Sequence, residues 1–186
     1  VAPLAYPDPP LADAVVALRP WREDDVPERI MAFADPSVLR FSWPLARSYT
    51  VPDARAYLAG REQERLDGEA LSFAFVAPGD DTAVLGGGSL YDVDLDRGCA
   101  AVGYWLAPAA RGRGVATHAT RLMAGWAFAR LRTMRLELTC APENIASAAV
   151  AARCGFTREG VLRSHLPFQG GRRDSVMFSL LPDELR

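Results

Sequence analysis

The chain has no lysine, and all 21 of its basic side chains are arginine. That removes the lysine of a P-loop, Schiff-base catalysis and autoacylation on a lysine amine together. Cysteine is scarce: Cys99, Cys140 and Cys154 lie too far apart for a CxxC metal or redox pair, as expected of thiols kept reduced in a cytoplasm. Only His118 and His165 can join them, so neither a structural zinc site nor a catalytic metal is expected. No apolar run approaches the roughly 20 residues that span a bilayer. The first ten residues have no basic start and carry prolines where a signal peptide is apolar, so an unexported, cytoplasmic protein is expected. The start at Val1 implies that a few leading residues precede this numbering. A formal net charge of -2 gives no global reason to bind nucleic acid or an anionic membrane. What is present, 186 residues with 49% hydrophobic and 24% charged, fits one ordinary globular core and excludes a disordered or collagen-like chain.

Patterning divides the sequence into an amino-terminal arm, residues 1–12, and one domain over 13–186. Val15–Leu18 is the first expected strand, ended by Arg19-Pro20 because proline cannot continue a central ladder. Glu23, Asp24 and Asp25 place acid in the first turn of a helix running to about Ala34, stopped by Asp35-Pro36. A second helix follows Thr50, with Pro52 in its first turn, and ends near Gly68. Between them Phe41-Ser-Trp-Pro44 reads as an aromatic loop. From residue 70 the period becomes two: Leu71, Phe73 and Phe75 alternate, and Val84–Tyr91 and Ala100–Leu106 follow turns at 79–81 and 92–98, which predicts an antiparallel meander. Val115, Ala119, Leu122, Met123, Trp126, Ala127 and Leu131 then fall on one helical stripe that must pack on the sheet. Met134–Cys140 is the next strand, Asn144–Cys154 a helix closed by Gly155, and Phe156–Leu162 and Ser175–Leu181 the last strands. This order predicts an α+β (α/β) fold whose mixed, mostly antiparallel central sheet has about seven strands and about four flanking helices.

Residues 103–116 carry the chemistry. There a strand runs through Gly-Tyr-Trp-Leu-Ala-Pro-Ala-Ala into Arg-Gly-Arg-Gly at the start of the amphipathic helix. Gly112 and Gly114 let the main chain approach a ligand, the amides of the helix's first turn offer a phosphate donors and a favourable dipole, and Arg111 and Arg113 add charge. A solvated turn is the plain alternative. A Rossmann fingerprint needs glycine at 117, which is Thr, and a Walker loop needs lysine.

At this segment the sequence resembles the GNAT family of N-acetyltransferases, whose acyl-CoA signature R/Q-x-x-G-x-G/A is met by Arg111, Gly114 and Ala116. Upstream, Val102-Gly-Tyr-Trp-Leu106 is similar to the family's strand that ends in a bulge and bonds the pantetheine arm. Downstream, Asn144-x-x-Ser147 and Gly155-Phe156 resemble its second cofactor segment. With Gly160 and the Asp174–Leu181 ending, the pattern is similar to the RimJ/RimL-like branch, which acylates protein N-terminal amines and assorted small amines. The resemblance covers 99–181 best and 15–98 less well. The branch usually carries Glu-Ala after the cradle, where this chain has His118-Ala119.

The resemblance implies a GNAT-like sheet, acetyl-CoA as acyl donor and direct attack by an amine in a ternary complex. Leu106, Arg111, Gly112, Arg113, Gly114, Val115, Ala116, Asn144 and Ser147 are then expected to bind the CoA moiety, with a backbone N–H near Leu106 meeting the oxyanion. Ser147 is the expected donor of a proton to the leaving thiolate, although Asn144 and Ser147 can equally serve as a helix cap. Glu137, mid-strand between Leu136 and Leu138, is the candidate base, with a solvated strand face as its alternative. Phe41, Trp43, Tyr91 and His165 are candidate walls of the acceptor pocket, His165 in a loop before the last strand. Asp92, Asp94 and Asp96 either attract a cationic amine or form an Asp-rich hairpin turn. His118 is expected on a solvated face. The expected function is acyl-CoA-dependent N-acetyl transfer to a protein α-amine or a small-molecule amine. A non-catalytic CoA-binding regulatory or scaffold domain is the alternative, and the acyl chain, the acceptor and a homodimeric state stay open.

Overall fold

The computed structural model of the protein describes residues 2–42, 48–168 and 170–186. Eight strands form one sheet: β1 (Leu11–Ala12), β2 (Ala17–Arg19), β3 (Leu71–Ala77), β4 (Asp80–Asp94), β5 (Cys99–Leu106), β6 (Arg135–Cys140), β7 (Thr157–Phe168) and β8 (Gly171–Leu180). Their spatial order is β1-β2-β3-β4-β5-β6-β8-β7, and every pair is antiparallel except β5 with β6. Among the described residues five α-helices accompany them: α1 (Val26–Phe33), α2 (Pro36–Ser42), α3 (Val51–Leu66), α4 (Val115–Trp126) and α5 (Ile145–Cys154). The class is the expected one, with one more strand and one more helix.

The extra helix is α2. Asp35-Pro36 does end α1, but it also begins α2: Pro36 takes the first helical position, where its missing N–H is harmless, and the Asp35 carboxylate accepts the amides of Ser37 at 3.0 Å and Val38 at 3.1 Å. Phe41 therefore lies in helix, not in an aromatic loop, and Trp43 lies outside the described residues. The extra strand is β1, paired with β2 at Leu11↔Leu18 and Ala12↔Ala17. The expected arm is docked: Leu4 is buried, and its amide and carbonyl bond to Arg65 of α3. Tyr6 bonds the Ser72 carbonyl at 3.1 Å.

The first six residues of β3, Leu71–Val76, are buried, so the alternation at Leu71, Phe73 and Phe75 understates the burial. A central strand covered on both faces has no solvent side to make polar. On one face α4 and α5 pack Val115, Ala119, Met123, Val150 and Ala151 into a core with Phe73, Phe75, Leu90, Val102, Leu136 and Leu138. Leu122 and Trp126 pack partly buried against it. On the other face α1 and α2 bring Phe33 and Val38 against Trp105 and Tyr49. α5 ends at Gly155, whose φ of 98° is the left-handed closing turn expected there. Among the described residues no helix is long and apolar enough to cross a membrane, and no group of His, Cys, Asp and Glu is arranged to hold a metal ion.

Candidate active site

β5 and β6 run parallel but pair over three residues only, Cys99↔Arg135 to Ala101↔Glu137. Beyond that point β5 continues to pair with β4 as far as Leu106, and β6 with β8 as far as Cys140, so the sheet divides between them. Ala107 N–H bonds the Leu85 carbonyl at 2.9 Å, on the β4 side. Amides alternate in direction along a strand, so those of Leu106 and Tyr104 face the split. The expected bulge at the Leu106 end is not found. Register runs unbroken from Gly86↔Leu106 to Tyr91↔Ala101, and the shift comes at the other end, between Tyr91 and Asp94, where Asp92 has φ of 49°. The unpaired edge of β5 arises from divergence of two strands, with no extra residue.

The mouth of the split meets the start of α4. Gly112 (φ 73°) and Gly114 (φ 82°) both take the left-handed conformation, and Gly114 caps the helix without any side-chain bond. The first bond of α4 is His118 N–H to the Gly114 carbonyl at 3.0 Å. The amides of Val115, Ala116 and Thr117 therefore have no intrahelical acceptor. A Cβ at Gly112 would meet nothing within 4 Å, so the cradle stands open. Three unspent amides, a helix dipole and open space fit a pyrophosphate.

Arg111 does not point its charge there. Its guanidinium bonds Ser37 Oγ at 2.5 Å, Asp35 Oδ1 at 3.0 Å and the Leu106 carbonyl at 3.3 Å, tying the cradle loop to α2. The sequence showed the arginine but not its partner 76 residues away. Arg113 is exposed and, among the described residues, has no ion pair.

At the start of α5, Asn144 Oδ1 accepts the Ser147 amide at 3.1 Å, which is the helix cap. The Ser147 hydroxyl is not part of that cap. It lies 3.0 Å from the hydroxyl of Tyr104, on the β5 segment that flanks the split. Burial pushes the Tyr104 phenol well above its ordinary value, outweighing the hydrogen bond it shares with Ser147, so Tyr104 keeps its proton. Tyr104 was missed as a site residue, since only its place between Gly103 and Trp105 marks it in the sequence.

Glu137 stands at the vertex of the split, in its last ladder pair with Ala101. It is ion-paired: Arg135 Nε bonds its Oε1 at 2.9 Å, while the same guanidinium holds Glu159 at 2.8 and 2.7 Å. Oε2 bonds no described residue. Glu137 shares an open cleft of about 560 Å³ with Glu69, Asp92, Asp94 and Arg97, so two of the three hairpin aspartates do gather beside it. Tyr91 crosses from β4 over Gly103, where a Cβ would come within 3.2 Å of its ring.

His165 lies within β7, not in a loop. Between Leu162 and Leu166 the β7–β8 register shifts, and this bulge is pinned by Ser164 N–H to Asp174 at 2.7 Å and by Arg172 to the Ser164 and His165 carbonyls. His165 Nδ1 is buried with no bonding partner among the described residues. Arg173 of β8 reaches the Arg40 and Phe41 carbonyls at 3.3 and 3.1 Å, joining this hairpin to the end of α2. Phe41 and His165 thus sit on two linked elements. His118 is not simply solvated, since Nδ1 lies 2.7 Å from Asp13 Oδ2.

Residues 16–157 match the family model of the acetyltransferase (GNAT) domain. YjcK of Bacillus subtilis, provisionally named an N-acetyltransferase, is 33% identical over 141 residues, covering 73% of this chain and 76% of that protein. YdaF of the same organism, provisionally named a ribosomal N-acetyltransferase, is 38% identical over 96 residues, 52% of each chain. The structure of Mycobacterium smegmatis RimJ in complex with CoA-disulfide superposes with a TM-score of 0.82 at 28% identity, covering 92% of this chain and 84% of that one. A divided sheet, an open amide cradle at its mouth and these relationships together place the chain in the GNAT family, as an N-acetyltransferase.

Proposed function

We propose that Gly112–Ala116 hold the pyrophosphate of acetyl-CoA, that the split between β5 and β6 admits its pantetheine arm, and that the acceptor is an α-amine at a protein N-terminus. Acetyl-CoA supplies an acyl carbon activated as a thioester. The acceptor nitrogen attacks directly: an N–C bond forms, the C–S bond breaks, the nitrogen loses a proton and the sulfur gains one. No lysine is available for an acyl-enzyme route, and Cys140 and Cys154 are buried, which raises both thiols, Cys154 to about 11. The split-facing amide of Leu106 is the donor for the oxyanion. The Ser147 hydroxyl gives the proton to sulfur while Tyr104, kept protonated by burial, donates to Ser147 Oγ and turns its hydrogen outward. Glu137 Oε2 is free to accept the amine proton through water.

The observation that carries this reading is the Tyr104–Ser147 hydroxyl pair, which joins the diverging segment of β5 to the start of α5. YdaF's ribosomal designation and the RimJ match support a protein acceptor, and an α-amine, with a pKa near 7.7 to 8, is already about a tenth neutral at pH 7, so it needs little help from a base. Phe41, Tyr91 and His165 would then wall the acceptor. Labelled acetyl transfer should be measured to peptides with free N-termini, Nα-blocked lysine peptides and small amines. Turnover confined to the first group is the expected result, and CoA binding without any turnover would establish the regulatory alternative instead.

A further inference from the structure

Asp13 and His118 form a pair that the proposed reaction does not use. Asp13 lies in the turn between β1 and β2, where Oδ1 accepts the amides of Val15 at 2.7 Å and Val16 at 3.0 Å, and Oδ2 meets His118 Nδ1 at 2.7 Å. Burial pushes this carboxyl up, but the Val15, His118 and Val16 bonds outweigh it and hold it below its ordinary value. A charged carboxylate accepts only, so Nδ1 must carry the hydrogen. The ring is thereby fixed from one side.

Its other edge faces the cradle. Side chains on a helix lean toward its N-terminus, and His118 is the fourth residue of α4. A Cβ at Gly114 would stand 3.4 Å from His118 Cδ2 and 3.8 Å from Nε2. Nε2 bonds no described residue, and it lies beside Gly114, at the helix end where the amides of Val115, Ala116 and Thr117 have no intrahelical acceptor. Of the other charges around α4, two are engaged. Arg121 bonds the Arg153 carbonyl of α5 at 2.9 Å, and Arg111 is held by Asp35 and Ser37 of the α1–α2 corner. Arg113 is exposed in the loop. Asp13 is the one carboxylate within bonding distance of the ring among the described residues.

We infer that His118 is a phosphate ligand for the CoA moiety: Asp13 takes Nδ1–H, and a proton on Nε2 gives a second donor to a phosphate oxygen at the helix start. This rests on the assignment of Gly112–Ala116 as the CoA cradle. The neutral ring would turn a lone pair toward the anion, so binding takes up a proton whenever the free ring is neutral. The pyrophosphate and the 3′-phosphate offer the same chemistry.

Calorimetric titration with CoA at pH 8, in two buffers of different ionisation enthalpy, should show net proton uptake by the wild type. His118→Gln should lose that uptake and bind about tenfold more weakly, the range for a charge-assisted hydrogen bond. His118→Arg should keep the affinity, through a permanent charge, and still lose the uptake. Repeating the comparison with 3′-dephospho-CoA identifies the partner: a His118→Gln penalty that persists assigns the pyrophosphate, and one that vanishes assigns the 3′-phosphate, either result supporting the pair's role. Equal CoA affinity for folded wild type and His118→Gln, without uptake, overturns the inference and leaves the cradle standing. A wild type that fails to bind CoA overturns both. Should His118→Gln not fold, the uptake of the wild type and its loss in His118→Arg decide the question.

Discussion

Ser147 serves α5 through its backbone and faces Tyr104 through its hydroxyl, so mutation can separate the two roles. Ser147→Ala leaves the Asn144 cap in place and should lower kcat by about 10² while CoA affinity and Tm change little. Asn144→Ala should do the reverse, removing about 1 kcal/mol of stability with a smaller effect on turnover. Single-turnover rates beside thermal melts distinguish them, and a joint fall of kcat and Tm in Ser147→Ala would return that residue to a structural role. Tyr104→Phe should lower kcat less than Ser147→Ala and have little further effect in its presence, because it acts through that hydroxyl. At the cradle, Gly114→Val should raise the CoA Kd at least tenfold. A branched residue at φ of 82° is strained by roughly 1–3 kcal/mol, and its side chain would press on the His118 ring and cover the amides. Arg111→Ala should weaken CoA less, because its guanidinium is bound to α2. Calorimetry on the two variants gives the order.

α2 is a short helix whose position depends on one carboxylate. Asp35 caps it through the Ser37 and Val38 amides, and the Ser37 hydroxyl and then Arg111 hold its carboxyl at about 2. A carboxyl depressed in the folded state stabilises fully above its unfolded value, near 3.9, and the contribution disappears as pH falls through the folded one. The Tm difference between wild type and Asp35→Asn should therefore be constant above about pH 5 and shrink between pH 4 and 2. A difference independent of pH would show that the neutral amide caps equally well. This helix also marks how far the sequence could be read. α3, α4 and α5 carry local marks, Pro52, an apolar stripe, and Asn144 with Gly155, and the meander carries its period of two. Pro36 marks an end and a beginning at once, and only the first was visible. β7 and β8 extend beyond their expected ends because Asp174 and Arg172 pin a bulge, a contact made across the hairpin. In the site, the cradle was legible because its glycines and arginines are contiguous. Tyr104 with Ser147, Arg111 with Asp35, and His118 with Asp13 are separated by 43, 76 and 105 residues, and only the fold brings them together.

For the molecule as a whole, the open chemical question is which partner carries the titration of the reaction. The Glu137 carboxylate stands at the vertex of the split with one oxygen on Arg135 and the other free, beside a cleft lined by Glu69, Asp92 and Asp94. If the acceptor is an α-amine, the ascending limb of kcat/KM reports the free amine together with any enzyme base, and it should level near pH 8. A lysine-like amine, neutral in only about one molecule in 2,500 at pH 7, would keep the limb rising toward 10. Glu137→Gln preserves the side chain's shape and removes its ability to take a proton. With an α-amine peptide it should depress kcat/KM a few-fold near pH 6, where most of the amine is charged, and leave it nearly unchanged near pH 9, where the amine is already neutral. Profiles from pH 6 to 10 for the wild type and Glu137→Gln test both points. A limb still rising at pH 10 would exclude the α-amine, and superimposable profiles would remove Glu137 from proton transfer and leave it to its ion pair with Arg135, which ties β6 to Glu159 on β7.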